Sequence, residues 1–253
     1  MIYFVGAGPG DKELLTLKGA RLLSQADCVI YAGSLVNPEL LEFVTENCRV
    51  YDSAAMTLEE IVAVMRECTY RNENVVRLHT GDPSLYGAIR EQIDQLIRYD
   101  IPFQVVPGVS SFSAAAATLG TEYTVPSVSQ TLILTRMEGR TPVPPNENIV
   151  ELAKIQASMA IFLSVSKLTE LAARLTEGGY APETPAAIIY KASWPDEIVS
   201  KTTLKSLAEE GERIGVTKTA LILVGNFLGG CGERSMLYHP DFSHEYRTGG
   251  RHE

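Results

Sequence analysis

Three short stretches concentrate glycine, proline and small hydroxyl residues: Gly6-Ala7-Gly8-Pro9-Gly10-Asp11, His79-Thr80-Gly81-Asp82-Pro83 and Pro107-Gly108-Val109-Ser110-Ser111. Glycine at such places lets a backbone approach a nucleotide-like ligand closely. The first stretch suggests a dinucleotide fingerprint. Two residues oppose that reading: Asp11 stands where GxGxxG needs its last glycine, and Pro9 removes an N–H that a pyrophosphate would use. The ribose-binding acid is also missing, since Asp27 precedes the second strand and Ala32-Gly33-Ser34 follows it. Taken alone, the loop is equally well explained as a plain tight turn. Asp82 can hold ribose hydroxyls or cap the next helix from an Asp-Pro turn. His79 can be a general base, a metal ligand or a hydrogen-bonded structural residue. Ser110 and Ser111 can face a ligand or simply N-cap a helix. Together, three such loops at successive strand ends point to a composite nucleotide-like pocket.

The elements that position these loops alternate. Ile2–Val5 reads as a buried parallel strand, and Thr16 caps a helix carrying Leu17, Ala20 and Leu23 at helical spacing. Cys28–Tyr31 is the next strand. Thr57 with Glu60 forms a capping-box pattern before the stripe Ile61, Val64, Met65 and Cys68. Val75–His79 and Phe103–Val106 return as strands around a helix bearing Ile89, Ile93, Leu96 and Ile97, and Ser110–Leu119 is an alanine-rich helix. Strand and helix in alternation imply crossovers and a mostly parallel sheet. Around 118–146 the character changes: Thr131–Thr135 is a strand, and MEGRTPVPPNEN is a long loop. Alternation then resumes through a strand at Met159–Leu163, a helix at Leu168–Leu175 ended by Gly178 and Gly179, and a strand at Ala186–Tyr190. Glu197–Thr203 and Thr219–Val224 read as strands with a more antiparallel character. The expected organisation is therefore an α/β domain over 1–117, a second α/β domain over 118–228 and a polar, aperiodic surface tail over 229–253.

Composition narrows the function. With 253 residues, 45% hydrophobic and 21% charged, the chain can bury a sizeable core and is neither disordered nor a disulfide framework. Its apolar runs fall far short of the roughly 20 residues needed to cross a bilayer. MIYFVGAGPG shows no basic segment followed by an apolar one, so cytoplasm is the expected location. A net charge of −9 disfavours nucleic-acid binding. Cys28, Cys48, Cys68 and Cys231 lack CxxC spacing and read as buried or incidental thiols. His239, His244 and His252 are spaced too irregularly to imply a metal site. Trp194, before Pro195 and Asp196, reads as a packing residue or one that shapes the pocket.

The combination of VGAGPGD at 5–11, HTGDPSLYGAI at 79–89 and VVPGVSS at 105–111 resembles the tetrapyrrole methylases. YAGSLV at 31–36, LTRMEGRTPVP at 134–144, YKASWPDE at 190–197 and LYHPDF at 237–242 narrow the resemblance to members acting in corrin-ring synthesis. It covers essentially the whole chain. The resemblance implies two consecutive α/β domains with the active site in the cleft between them, S-adenosylmethionine as methyl donor, a small-molecule tetrapyrrole as substrate, no metal cofactor, and a homodimer. Carried over residue by residue, the cofactor contacts are Pro9, Thr80, Gly81, Asp82, Leu85, Ser110, Ser111, Leu163 and Ala192. Thr80 stands where many relatives have glycine, and Leu163 where methionine is frequent; both positions are expected to contact through backbone.

Methyl transfer from a sulfonium to carbon chiefly needs alignment and exclusion of water, with no obligatory strong acid or base. No catalytic residue is assigned. A polycarboxylate substrate calls for planar cationic partners, and Arg136 and Arg140 are the candidates, with Ser34 and Tyr86 lining the site. Spacing alone allows both arginines to pair instead with Glu138 and Glu147 on a solvated loop. The rivals are a nucleotide-dependent oxidoreductase, a non-catalytic tetrapyrrole carrier, and methylation of another ring carbon or of RNA.

Overall fold

The computed structural model of the chain describes residues 1–33, 35–230 and 232–250. It divides into two units, Met1–Thr118 with Lys191–Glu197, and Leu119–Tyr190 with the described residues from Ile198 onward. The sequence placed 191–197 in the C-terminal domain and 229–253 in a separate tail. The hydrogen bonds of Ser193 and Trp194, described below, account for the first difference.

In the first unit, strands β1 (Ile2–Gly6), β2 (Cys28–Tyr31), β3 (Arg49–Asp52), β4 (Val75–His79) and β5 (Phe103–Val106) form one parallel sheet in the order β3-β2-β4-β1-β5. Alternate side chains feed two cores. Val5, Val29, Val76, Leu78 and Val106 pack with Leu22 and Leu23 of helix α1 (Leu17–Ser24) on one face. Ile2, Phe4, Cys28, Ile30 and Val75 pack on the other with Ile61, Met65 and Cys68 of α2 (Leu58–Tyr70) and Leu96 of α3 (Ile89–Arg98). Both faces are covered, which explains near-continuous apolar strands rather than alternating ones. The Thr57–Glu60 capping box is present in both directions. Strand β3 was not expected from sequence. It is a short edge strand with every second residue exposed, flanked by polar turns. Helix α4 (Ser111–Leu119) follows β5.

The second unit carries β6 (Leu132–Arg136), β7 (Ser158–Phe162), β8 (Pro185–Tyr190), β9 (Ile198–Thr203) and β10 (Ala220–Val224) in the order β6-β7-β10-β8-β9. Only β6 and β7 are parallel; β10 runs antiparallel to both β7 and β8, and β8 to β9. Helices α5 (Ile149–Ala153), α6 (Leu168–Glu177) and α7 (Leu207–Ile214) contribute Ile149, Leu171, Leu175 and Leu207 to a core with Met159, Ile161, Ile188 and Ile222. The described part of the tail is organised around Arg247, whose guanidinium donates to the carbonyls of Leu237, His239 and Phe242. His239 and His244 each accept a backbone N–H through Nδ1, from Asp241 and Tyr246. Cys231 and His252 lie outside the described residues. Among the described residues no helix is long and apolar enough to cross a membrane.

Candidate active site

The sheet order places β4, β1 and β5 side by side, so the loops leaving their carboxyl ends are neighbours. Register brings them to one height: Gly6 pairs with His79, and Val5 with Val106. The loops then touch backbone to backbone. A Cβ on Gly6 would lie 2.6 Å from the Cα of Gly108 and 2.6 Å from the carbonyl oxygen of Gly81, and one on Gly108 would lie 2.3 Å from that same oxygen. Side chains cannot occupy such gaps, so Gly6 and Gly108 are required by the mutual packing of the loops, while Gly81, with φ of 61°, is required by its backbone conformation. The contacts are hydrogen-bonded as well. Ala7 N–H donates to the His79 carbonyl at 2.7 Å, while Gly8 and Gly81 exchange bonds of 3.3 and 2.8 Å.

Asp82 joins the second loop to the third. Its Oδ2 accepts the N–H of Gly108 at 2.9 Å, and its Oδ1 accepts both the N–H of Ser84 at 2.8 Å and the Ser84 hydroxyl. Burial pushes this carboxyl up, but the bonds from Ser84 and Gly108 outweigh it and hold it below the ordinary carboxylate range. Below the loops, Arg77 and His79 point into the α2 and α3 core. Arg77 donates to Gln92 Oε1 at 3.2 Å and to the Ile30 carbonyl at 3.3 Å, and burial lowers it to about 10, still charged at neutral pH. The His79 ring lies 5.9 Å from that of Phe4, and its Nε2 is buried without a partner among the described residues. Burial, then the nearby Arg77 charge, pushes His79 down to about 3, so it is neutral. It is a structural residue, not an exposed base.

The segment Lys191–Glu197 completes the first unit at the Gly6–Asp11 loop. Trp194 donates its indole N–H to the Pro9 carbonyl at 2.8 Å, and the hydroxyl of Ser193 accepts the Asp11 N–H at 3.0 Å. Asn37, buried, donates to the Gly10 carbonyl at 2.9 Å. Ser193 is itself held by Glu197, whose carboxylate accepts the Ser193 N–H at 2.6 Å and the Thr118 hydroxyl at 3.1 Å. Ala192, between these anchors, is buried. Sequence reasoning missed Ser193 and Asn37. No local signal marks partners so far apart along the chain.

Of the candidate cofactor residues, the first unit thus brings Pro9, Thr80, Gly81, Asp82, Ser110, Ser111 and Ala192 onto or beside the three joined loops. Pro9, Gly81 and Ser110 are buried, and Thr80 is exposed. Leu85 and Tyr86 follow on the irregular stretch before α3, where Tyr86 and Ala88 take φ of 55° and 49°. In the second unit, Leu163 directly follows β7 with φ of 52° and is 71% exposed. Lys191 and Ser193 also have positive φ. Non-glycine residues in this region are uncommon, and they recur here at or beside candidate positions. Ser34 lies outside the described residues. Arg136 donates to the carbonyls of Met137, Thr141 and Pro142 and so organises its own loop. Glu138 forms its ion pair with Arg174, at 3.8 Å, rather than with Arg136 or Arg140. Arg140 is exposed and makes no ion pair among the described residues.

A family model described as tetrapyrrole (corrin/porphyrin) methylases matches residues 1–208. The chain belongs to the tetrapyrrole methylases. A cobalt-precorrin-4 C(11)-methyltransferase of Methanocaldococcus jannaschii is 53% identical over 247 residues, 97% of this chain and 95% of the relative. The solved structure of a cobalt precorrin-4 methyltransferase, a cobalamin biosynthetic enzyme, superposes with a TM-score of 0.88 at 44% identity, covering 90% of this chain and 95% of that one. The uroporphyrin-III C-methyltransferase of Thermus thermophilus, solved with S-adenosyl homocysteine, gives 0.76 at 29% identity, covering 90% and 92%.

The loops of this tetrapyrrole methylase are chemically suited to a cationic, hydroxyl-bearing ligand rather than to a pyrophosphate. Pro9 supplies no N–H, the three loops contain no Lys or Arg, and their acidic members are Asp11 and Asp82, the latter held ionised. Thr80, Ser110 and Ser111 add hydroxyls that can both donate and accept. A sulfonium donor fits that set.

Proposed function

We propose that this chain is an S-adenosylmethionine-dependent C-methyltransferase that methylates C11 of cobalt-precorrin-4, or of precorrin-4, in cobalamin biosynthesis. The observation that carries the reading is the joining of three loops at Gly6, Gly81 and Gly108 into one surface without basic side chains, in a chain 53% identical to a cobalt-precorrin-4 C(11)-methyltransferase.

S-Adenosylmethionine supplies an electrophilic methyl group. The chain's part is to orient and to shield. Pro9, Thr80, Gly81, Asp82, Leu85, Ser110, Ser111, Leu163 and Ala192 are its contacts in this reading, mostly through backbone and small hydroxyls. Positive φ at Gly8, Gly81 and Leu163 turns the backbone sharply at these positions, and the bonds exchanged by Gly8 and Gly81 fix the first two turns before the ligand arrives. Tyr86, Arg140 and Ser34 serve the tetrapyrrole side. Arg140 is suited to a substrate carboxylate because its guanidinium is exposed and not already paired among the described residues. Arg136 supports Arg140 by fixing the loop that presents it. A cytoplasmic homodimer is part of this reading.

The test is incubation with methyl-labelled S-adenosylmethionine and cobalt-precorrin-4, with the label located by NMR. Label at C11 supports the reading, label at another carbon reassigns the regiochemistry, and binding without transfer makes the chain a carrier.

A further inference from the structure

Six residues of the Gly6–Asp11 loop leave few backbone groups to chance, and two of its anchors come from far along the chain. Pro9 has no N–H, and its carbonyl is taken by the Trp194 indole at 2.8 Å. The next carbonyl, of Gly10, is taken by Asn37, and the next amide, of Asp11, by the Ser193 hydroxyl. The indole also fills the space beside Gly10: a Cβ there would lie 2.0 Å from the ring Cδ1 and 2.3 Å from Nε1. The Trp194 side is itself braced, by Lys191 at 5.1 Å over the ring and in an ion pair with Asp196, and by Glu197 on the Ser193 N–H. Any packed indole N–H needs an acceptor; what singles out this one is that its acceptor, its ring contact at Gly10 and the neighbouring Ser193 bond all fall on consecutive residues of one loop.

We propose that Trp194 is a positioning residue for methyl transfer: through its bond to the Pro9 carbonyl and its packing on Gly10, it holds the Gly6–Asp11 loop in the shape that receives the methyl donor. The proposal rests on the function proposed above. It acts through the loop; the indole need not touch the ligand. Removing the N–H frees the Pro9 carbonyl and lets the loop sample other shapes, so part of the binding energy of the donor goes into restoring this one.

The probe is S-adenosylhomocysteine, titrated calorimetrically into the whole protein. Trp194→Phe keeps an aromatic ring and removes the N–H; the expected result is an increase of about fivefold to tenfold in Kd, with the same rise in KM for S-adenosylmethionine and kcat within about twofold. A purely structural tryptophan would lower the melting temperature and leave Kd unchanged well below it. Gly10→Ala is expected to weaken binding in the wild-type background and to add nothing in the Trp194→Ala background, because the obstacle to the new methyl group is then gone. Wild-type protein that does not bind the probe overturns the functional reading. Wild-type binding with equal Kd and KM in Trp194→Phe overturns the positioning role alone.

Discussion

The carboxylate of Asp82 accepts the backbone N–H of Gly108 at 2.9 Å, joining loops that lie 26 residues apart in sequence. An aspartate expected to meet the cofactor's ribose is thus occupied at least in part with holding the neighbouring loop. Asp82→Ala should therefore weaken S-adenosylhomocysteine binding by about tenfold while also lowering thermal stability, since a charged hydrogen bond and a turn cap are lost together. Calorimetric titration and melting of the same preparation check both. The depressed carboxyl adds a sign: its stabilisation is full above its unfolded value of about 3.9 and is lost as the pH falls through the lower folded value.

Gly108→Ala forces a methyl group to within 2.3 Å of the Gly81 carbonyl oxygen, whereas Gly139 has nothing within 4 Å of its virtual Cβ. The first substitution should cost about 1–3 kcal/mol or more, as overpacking against unyielding backbone does. Gly139→Ala should be near neutral. Urea denaturation of the two variants separates a packing requirement from a general preference for glycine in loops.

His79 is neutral in the fold and ordinary in the unfolded chain. Its folded value of about 3 lies below the unfolded value of about 6.5, so the unfolded state binds more protons between them. Stability should be full above pH 6.5 and fall as the pH drops toward 3, with a slope approaching about 1.4 kcal/mol per pH unit from this group alone. His79→Phe removes the titration, and a denaturation series from pH 7 to 4 should be flatter for the variant. An equal slope in both proteins would falsify the assignment.

Arg136, at the end of β6, and Arg140, in the loop that follows, separate by partner. Arg140→Ala should weaken cobalt-precorrin-4 binding and leave S-adenosylhomocysteine affinity within about twofold, because an exposed arginine with no ion pair among the described residues contributes little to stability. Arg136→Ala instead releases the carbonyls of Met137, Thr141 and Pro142. Faster proteolysis within 137–146 is the expected result, measured by limited digestion and mass spectrometry.

Much of this was legible because the physics is local. Thr57 and Glu60 announce their capping box within one helical turn, and the three glycine loops stand directly after recognisable strands. Why those glycines are there was not legible. The sequence suggested close approach to a ligand, while the structure shows close approach of loop to loop at Gly6, Gly81 and Gly108. Strand β3 hid because an edge strand needs no continuous apolar run, and Arg-Val-Tyr-Asp carries none. Ser193 and Asn37 were silent for another reason: a hydroxyl or amide whose partner lies 182 or 27 residues away leaves no spacing to read. Arg136 was assigned to the substrate by residue type, and its backbone partners depend on a loop conformation that composition does not specify.

The first unit is not continuous in sequence, since it includes Lys191–Glu197. During vectorial synthesis its five strands leave the ribosome well before Trp194 does. The nascent sheet can therefore assemble early, but the Pro9 carbonyl and the Asp11 amide gain their partners only after some 70 further residues have been made. The anchoring of this loop is consequently the last contact the unit acquires, and a chain that ended after β5 but before residue 193 would carry all five strands with an unfinished loop.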